Sequence, residues 1–171
     1  YRCECVPNPP PTGDGCDTAV LVPVPSVTDG TTIGATPDDP SIPACGNPAG
    51  LTSPSVWYRF VGTGTTVTIS LCGSSFDTVL RVYCGSCTNP TCVAANDDAC
   101  PLGGSQVSIC ATVGITYYIR ISGFGNNAGA FHLTLTEDGI PCSGGGCSGP
   151  TSCVDCSGPV LSENEPNCGI P

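Results

Sequence analysis

Residues 55–71 read SVWYRFVGTGTTVTISL, and this stretch decides the fold. Val56, Tyr58 and Phe60 alternate with Trp57, Arg59 and Val61. After a turn at Thr63-Gly64, Val67, Ile69 and Leu71 alternate with Thr66, Thr68 and Ser70. A period of two sends one set of side chains into a core and the other to the outer face of a sheet. The pattern returns downstream. Leu80 and Val82 alternate with Val79, Arg81 and Tyr83; Tyr117, Ile119 and Ile121 with Tyr118, Arg120 and Ser122; Phe131, Leu133 and Leu135 with His132, Thr134 and Thr136. Turn-forming residues separate these runs at Gly73-Ser74, Gly103-Gly104 and Gly123 to Gly129. Weaker strands are expected near 19–24, 31–36, 92–95 and 105–111, and no amphipathic helix of useful length is visible. About eight or nine short strands at this spacing predict an all-β, disulfide-rich β-sandwich of jelly-roll type.

Outside this zone the composition changes. Residues 17–138 carry nearly all the large apolar side chains, enough for one core. Residues 1–16, YRCECVPNPPPTGDGC, form a strap that proline stiffens. Residues 139–171 are Gly, Ser, Pro and Cys; such a tail, or linker to a next unit, builds no core and must be stapled, docked or flexible. The opening residues lack the basic and then apolar run of a signal peptide, so the expectation is a mature or excised segment of a secreted protein.

The chain holds 15 cysteines in 171 residues, with no lysine and no methionine. That density reads as a disulfide scaffold for an extracellular or cell-surface location. Fifteen is odd, so at least one sulfur has no partner within these residues. Spacing does not give connectivity. The intrachain candidates are Cys45, Cys72, Cys87, Cys92, Cys100 and Cys110, with Cys92–Cys100 a local closure, Cys87 bonded nearby, and Cys45–Cys72 tying a long loop to a strand end. Cys3, Cys5, Cys142, Cys147, Cys153, Cys156 and Cys168 flank the domain and are candidates for cross-links between units. Cys84/Cys87 and Cys153/Cys156 are C-x2-C pairs, but in so dense a set disulfides are favoured over zinc.

Fourteen acids face four arginines and one histidine, for a net charge of −10. An acidic surface repels phosphate, so nucleic acid and anionic membranes are excluded as partners. No run approaches the ~20 apolar residues that cross a bilayer, so membrane insertion is not expected.

Catalytic chemistry finds no set of residues. The single histidine, His132, occupies an outer strand position, and no G-x-S-x-G element occurs. Glu4, Glu137, Glu163 and Glu165 all lie in terminal zones, away from any groove that paired glycosidase carboxylates would need. The chain therefore reads as a non-enzyme. Asp77, Asp97 and Asp98 are hard oxygen donors in loops, and Ca²⁺ is the candidate cofactor. The alternative is that Asp77 and Asn96 cap turns. Trp57, Arg59, Arg81, Tyr83, Tyr118 and Arg120 share one strand parity and form a candidate docking face, for another copy or a glycan. Against this stands a plain solvated sheet with cross-strand pairs. Asn89-Pro90-Thr91 has the proline that forbids N-glycosylation, so any sugar is O-linked.

The segments DGTTIGATPDD, SVWYRF, CGSSFDTVLRVYCGSC, CVAANDDAC and TYYIRISGFGNNAGAFHLTL resemble a bacterial extracellular β-sandwich family. They are similar to modules related to the pre-peptidase C-terminal domain, in the form found in large repetitive planctomycete-type surface proteins. The resemblance covers about residues 17–137, and ENEPNCGIP resembles the start of a further module. It implies a non-catalytic role in display, adhesion, matrix structure or carbohydrate contact. Cys3, Cys5, Cys84, Cys142, Cys147, Cys153 and Cys156 exceed the expected family pattern and suggest added cross-linking. The leading expectation is a structural or interaction module of an extracellular fibre, sheath or surface array, assembling with other copies or neighbouring modules through its ends and disulfides. The alternative is a carbohydrate-binding or accessory module of a secreted multidomain enzyme or adhesin.

Overall fold

Nine strands make two packed sheets in the computed structural model, which describes residues 9–37, 42–46 and 52–147. In chain order they are β1 (Val20–Leu21), β2 (Ser26–Thr31), β3 (Ser55–Val61), β4 (Thr65–Ser70), β5 (Thr78–Ser86), β6 (Asn89–Asn96), β7 (Gln106–Cys110), β8 (Thr116–Gly123) and β9 (Ala130–Pro141). One sheet has the order β1-β3-β8-β5-β6, the other β2-β9-β4-β7. All pairings are antiparallel except β1 with β3. The all-β, disulfide-rich sandwich expected from alternation is the observed architecture. The described residues include no helix long and apolar enough to cross a membrane.

The inward set matches the period-two reading. Val56, Tyr58 and Phe60 meet Val67, Ile69, Leu80, Val82, Tyr117, Ile119, Ile121, Phe131, Leu133 and Leu135 in one core. Phe60 stacks on Tyr117 at 5.3 Å within the five-stranded sheet, while Tyr58 meets Phe131 edge-on at 5.8 Å and joins the two sheets. Each such burial contributes about 1.5–3 kcal/mol against leaving the side chain in water.

The stretch 55–71 does not form a hairpin. Its two strands belong to different sheets, so Gly62 to Gly64 carry the chain across the end of the sandwich. Gly62 is required there, because a Cβ would collide with the Thr112 carbonyl.

The weaker strands shift. The strand expected near 31–36 ends at Thr31 and begins at Ser26; Ala35 N donates to Thr32 O in the turn that follows. The one expected at 19–24 shrinks to two residues, because Pro23 and Pro25 lack backbone donors. β9 passes residue 138 and ends at Pro141.

Candidate functional site

Two groups from the sequence reading come together in space: an arginine–aromatic layer and a carboxylate cluster. The first is not where alternation alone puts it.

Trp57, Arg81 and Arg120 share one level of the five-stranded sheet, since Trp57 pairs with Arg120 and Arg120 with Arg81. They do point away from the main core. They do not meet solvent: Trp57, Arg81, Tyr83 and Arg120 are all fully buried. A second small core of Ala19, Cys45, Trp57 and Tyr83 covers them, with Cys16, Ile42, Ala95 and Tyr118 packed around it. Trp57 and Tyr83 lie 5.7 Å apart. Arg81 Nε donates to the Cys45 carbonyl at 3.1 Å, and Ser122 Oγ accepts from Arg81 Nη1 and from Arg120 Nη1 at 3.4 and 3.1 Å. Tyr83 OH donates to the Pro43 carbonyl at 3.2 Å. The proposed docking face is thus corrected for these four residues. The segment 13–19 and the loop 42–46 roof the sheet and satisfy polar groups that an outer face would leave to water. Arg59 stays exposed, its Nε donating to the Ala19 carbonyl at 3.3 Å, and Tyr118 is half-buried.

The carboxylates meet as expected. Asp77 directly precedes β5, while Asp97 and Asp98 follow β6, its antiparallel neighbour, so all three reach one end of the sheet. One carboxylate oxygen of each lies within 4.8 Å of the others. Asp97 and Asp98, with Val79, Ala95 and Asn96, line a cleft of about 320 Å³. Asp77 Oδ1 is shut from solvent and has no hydrogen-bond partner. Burial first, and Asp98 second, push the Asp77 carboxyl above its ordinary range. Gly103, at φ +73°, lies so close that a Cβ would sit 2.6 Å from Asp77 Oδ1. Asn96 does hold backbone, accepting from Gln106 N at 3.0 Å. Asp77 holds the turn only through its carbonyl, which accepts from Phe124 N at 3.0 Å. The alternative reading, in which the Asp77 side chain caps the turn, is therefore not what the structure shows.

Among the described residues, five disulfides join Cys16–Cys87, Cys45–Cys92, Cys72–Cys100, Cys84–Cys147 and Cys110–Cys142. The expected local closures are exchanged: Cys45 takes Cys92, and Cys72 takes Cys100. Antiparallel β5–β6 pairing carries Cys92 beneath the loop that holds Cys45, which sequence distance does not reveal. Cys87 reaches back 71 residues to Cys16 instead of to a near neighbour. Cys142 and Cys147 are corrected as inter-unit candidates, since each closes onto its own body, Cys147 within the main core. Cys3, Cys5, Cys153, Cys156 and Cys168 lie outside the described residues, as do Glu4, Glu163 and Glu165. His132 faces outward on β9 and pairs with Asp29 at 2.7 Å. This bridge density points to an oxidising, extracellular setting.

Among solved structures, the chain is similar to the pre-peptidase C-terminal domain of a collagenase from Bacillus anthracis, with 15% sequence identity and a TM-score of 0.45, over 69% of this chain and 94% of that one. No protein-family model matches the chain, and no curated protein sequence does. The sandwich assignment rests on the chain's own strand order and core.

Proposed function

We propose that this chain is a structural module of an extracellular assembly, joined to its neighbours through its two ends. The division of the sulfurs supports this reading. Fifteen cysteines less the ten in the five bridges leaves five, an odd number. These five are Cys3 and Cys5 before the body and Cys153, Cys156 and Cys168 after it. The body is closed upon itself, while both ends carry sulfur. A terminal thiolate displaces half of a low-molecular-weight disulfide; a second chain's thiolate then displaces the remaining small thiol. One interchain bridge forms and two small thiols leave. Unreduced material should run at multiples of the 17.1 kDa chain and collapse to one chain on reduction. A single-chain mass in both states would overturn the reading.

The carboxylate cluster supports a second property of the same module, a Ca²⁺ site made by Asp77, Asp97 and Asp98. The observation that favours it is the solvent-free, partnerless Oδ1 of Asp77. A bound divalent cation would lend such a loop rigidity at the end of the sandwich.

A further inference from the structure

We infer that the outer edge of β2 is a strand-acceptor site, and that its occupant is the C-terminal segment, residues 148–171, of a second copy. The inference rests on the assembly reading above and specifies its contact.

A two-sheet sandwich has four edge strands, here β1, β6, β2 and β7. An open edge offers unpaired backbone groups, and stable monomers blunt it. Three of the four are blunted. β1 has two residues and runs into Pro23 and Pro25. β6 contains Pro90 and a register shift, and its flank carries the Cys45–Cys92 bridge with Gly46 against Ala95. β7 is tied to the following chain by Cys110–Cys142, with Gly145 seated on the Cys110 carbonyl, and its first amide is taken by Asn96.

β2 carries none of these devices among the described residues. It has six residues, SVTDGT, without proline or a basic side chain. Its one charge, Asp29, is drawn to His132 on its neighbour β9. Thr32 N donates to the Gly129 carbonyl, toward β9. Alternation then turns the amides and carbonyls of Val27, Asp29 and Thr31 outward. Just before β2, Leu21, Val22, Pro23, Val24, Val61 and Thr63 line an apolar groove of about 410 Å³. Val27 stands 63% exposed on the strand itself. A paired strand would give backbone bonds to the edge and alternate side chains to the groove, which is the β-augmentation mode.

The occupant is chosen by length and chemistry. After Cys147 the chain continues for 24 residues (171 − 147). At ~3.3 Å per residue it reaches ~80 Å, far enough to leave its own body. It holds an apolar pair, Val160-Leu161, followed by the proline-free Ser162 to Glu165. The residues on the other side of the body lead into it through Pro9, Pro10 and Pro11, which cannot donate to a ladder.

Hydrogen exchange on the full unreduced chain tests this. In assembled material the Val27, Asp29 and Thr31 amides should exchange about tenfold or more slowly than in dilute single chains. Cross-linking of mixed isotope-labelled and unlabelled chains should join β2 of one to residues 148–171 of the other. Val27→Lys, which places a charge on the edge without touching the β2–β9 ladder, should return the Asp29 and Thr31 amides to the single-chain rate. Val27→Pro should do the same by deleting one outward donor. Assembled material whose β2 amides stay fast overturns strand addition alone. Material that never assembles overturns the assembly reading with it. Slow amides already present in single chains, or cross-links from β2 to another segment, assign the edge to a different occupant and sink the inference.

Discussion

At the scale of single residues, Asp77 holds the most consequential position. Its carboxyl is raised chiefly by burial and secondarily by Asp98, so the folded chain binds its proton more tightly than the unfolded chain. In metal-free protein, this tighter proton binding favours the fold fully below the unfolded carboxyl pKa. It is lost as pH rises through the raised folded value. Asp77→Asn should therefore raise the melting temperature of metal-free protein near pH 7 and change little near pH 3, read by thermal melts in chelator. Ca²⁺ should reverse the comparison. At a hundredfold excess over its dissociation constant it should stabilise the native chain by ~2.7 kcal/mol, and Asp77→Asn should show no such gain. A Ca²⁺ response that survives in Asp77→Asn would count against the site. The three acids were legible as hard oxygen donors at the turns that flank two expected strands. Their meeting needed only the antiparallel pairing of β5 with β6. The missing partner of Oδ1 was not legible, since it depends on how Gly103 crosses the carboxylate.

Among the elements, β3 and β5 show where period-two reading stops. Their inward residues Val56, Phe60, Leu80 and Val82 were readable from alternation. Their other faces carry Trp57, Arg81 and Tyr83, and polarity at alternate positions suggested solvent. The structure instead buries β5 from Thr78 through Cys84 on both faces. The roof above it, residues 13–19 and 42–46, has no periodicity of its own and is held by disulfides and hydrogen bonds. The bulk of Trp57 and Tyr83 on the supposed outer face was the available signal. Trp57→Ala should accordingly cost about 3–5 kcal/mol in denaturant melts, a core value and not a surface one. A change within ~0.5 kcal/mol would return Trp57 to the surface. Cys84→Ser with Cys147→Ser opens a closure spanning 63 residues. In the chain-entropy model that costs roughly 4 kcal/mol, measured on the same melts.

For the whole molecule, the strands and the main core were legible because they follow from alternation, which is local, whereas the order of the strands within the two sheets was not. Bridge connectivity was not, because it follows from the three-dimensional return of β5, β6 and the chain after β9. That return divides the molecule into a body that keeps its ten sulfurs and two ends that hold five. A net charge of −10 discourages casual aggregation of such units, so the proposed association would depend on specific contacts at the ends and along β2. Raised salt should screen this repulsion and promote assembly, as light scattering would record; assembly weakened by salt would point to attraction between opposite charges instead. The most direct test of the central claim is peptide mapping of unreduced material by mass spectrometry. The account predicts the five body bridges intact within single chains, with every interchain bond confined to Cys3, Cys5, Cys153, Cys156 and Cys168. Interchain bonds at Cys142 or Cys147, or the absence of any interchain bond, would contradict it.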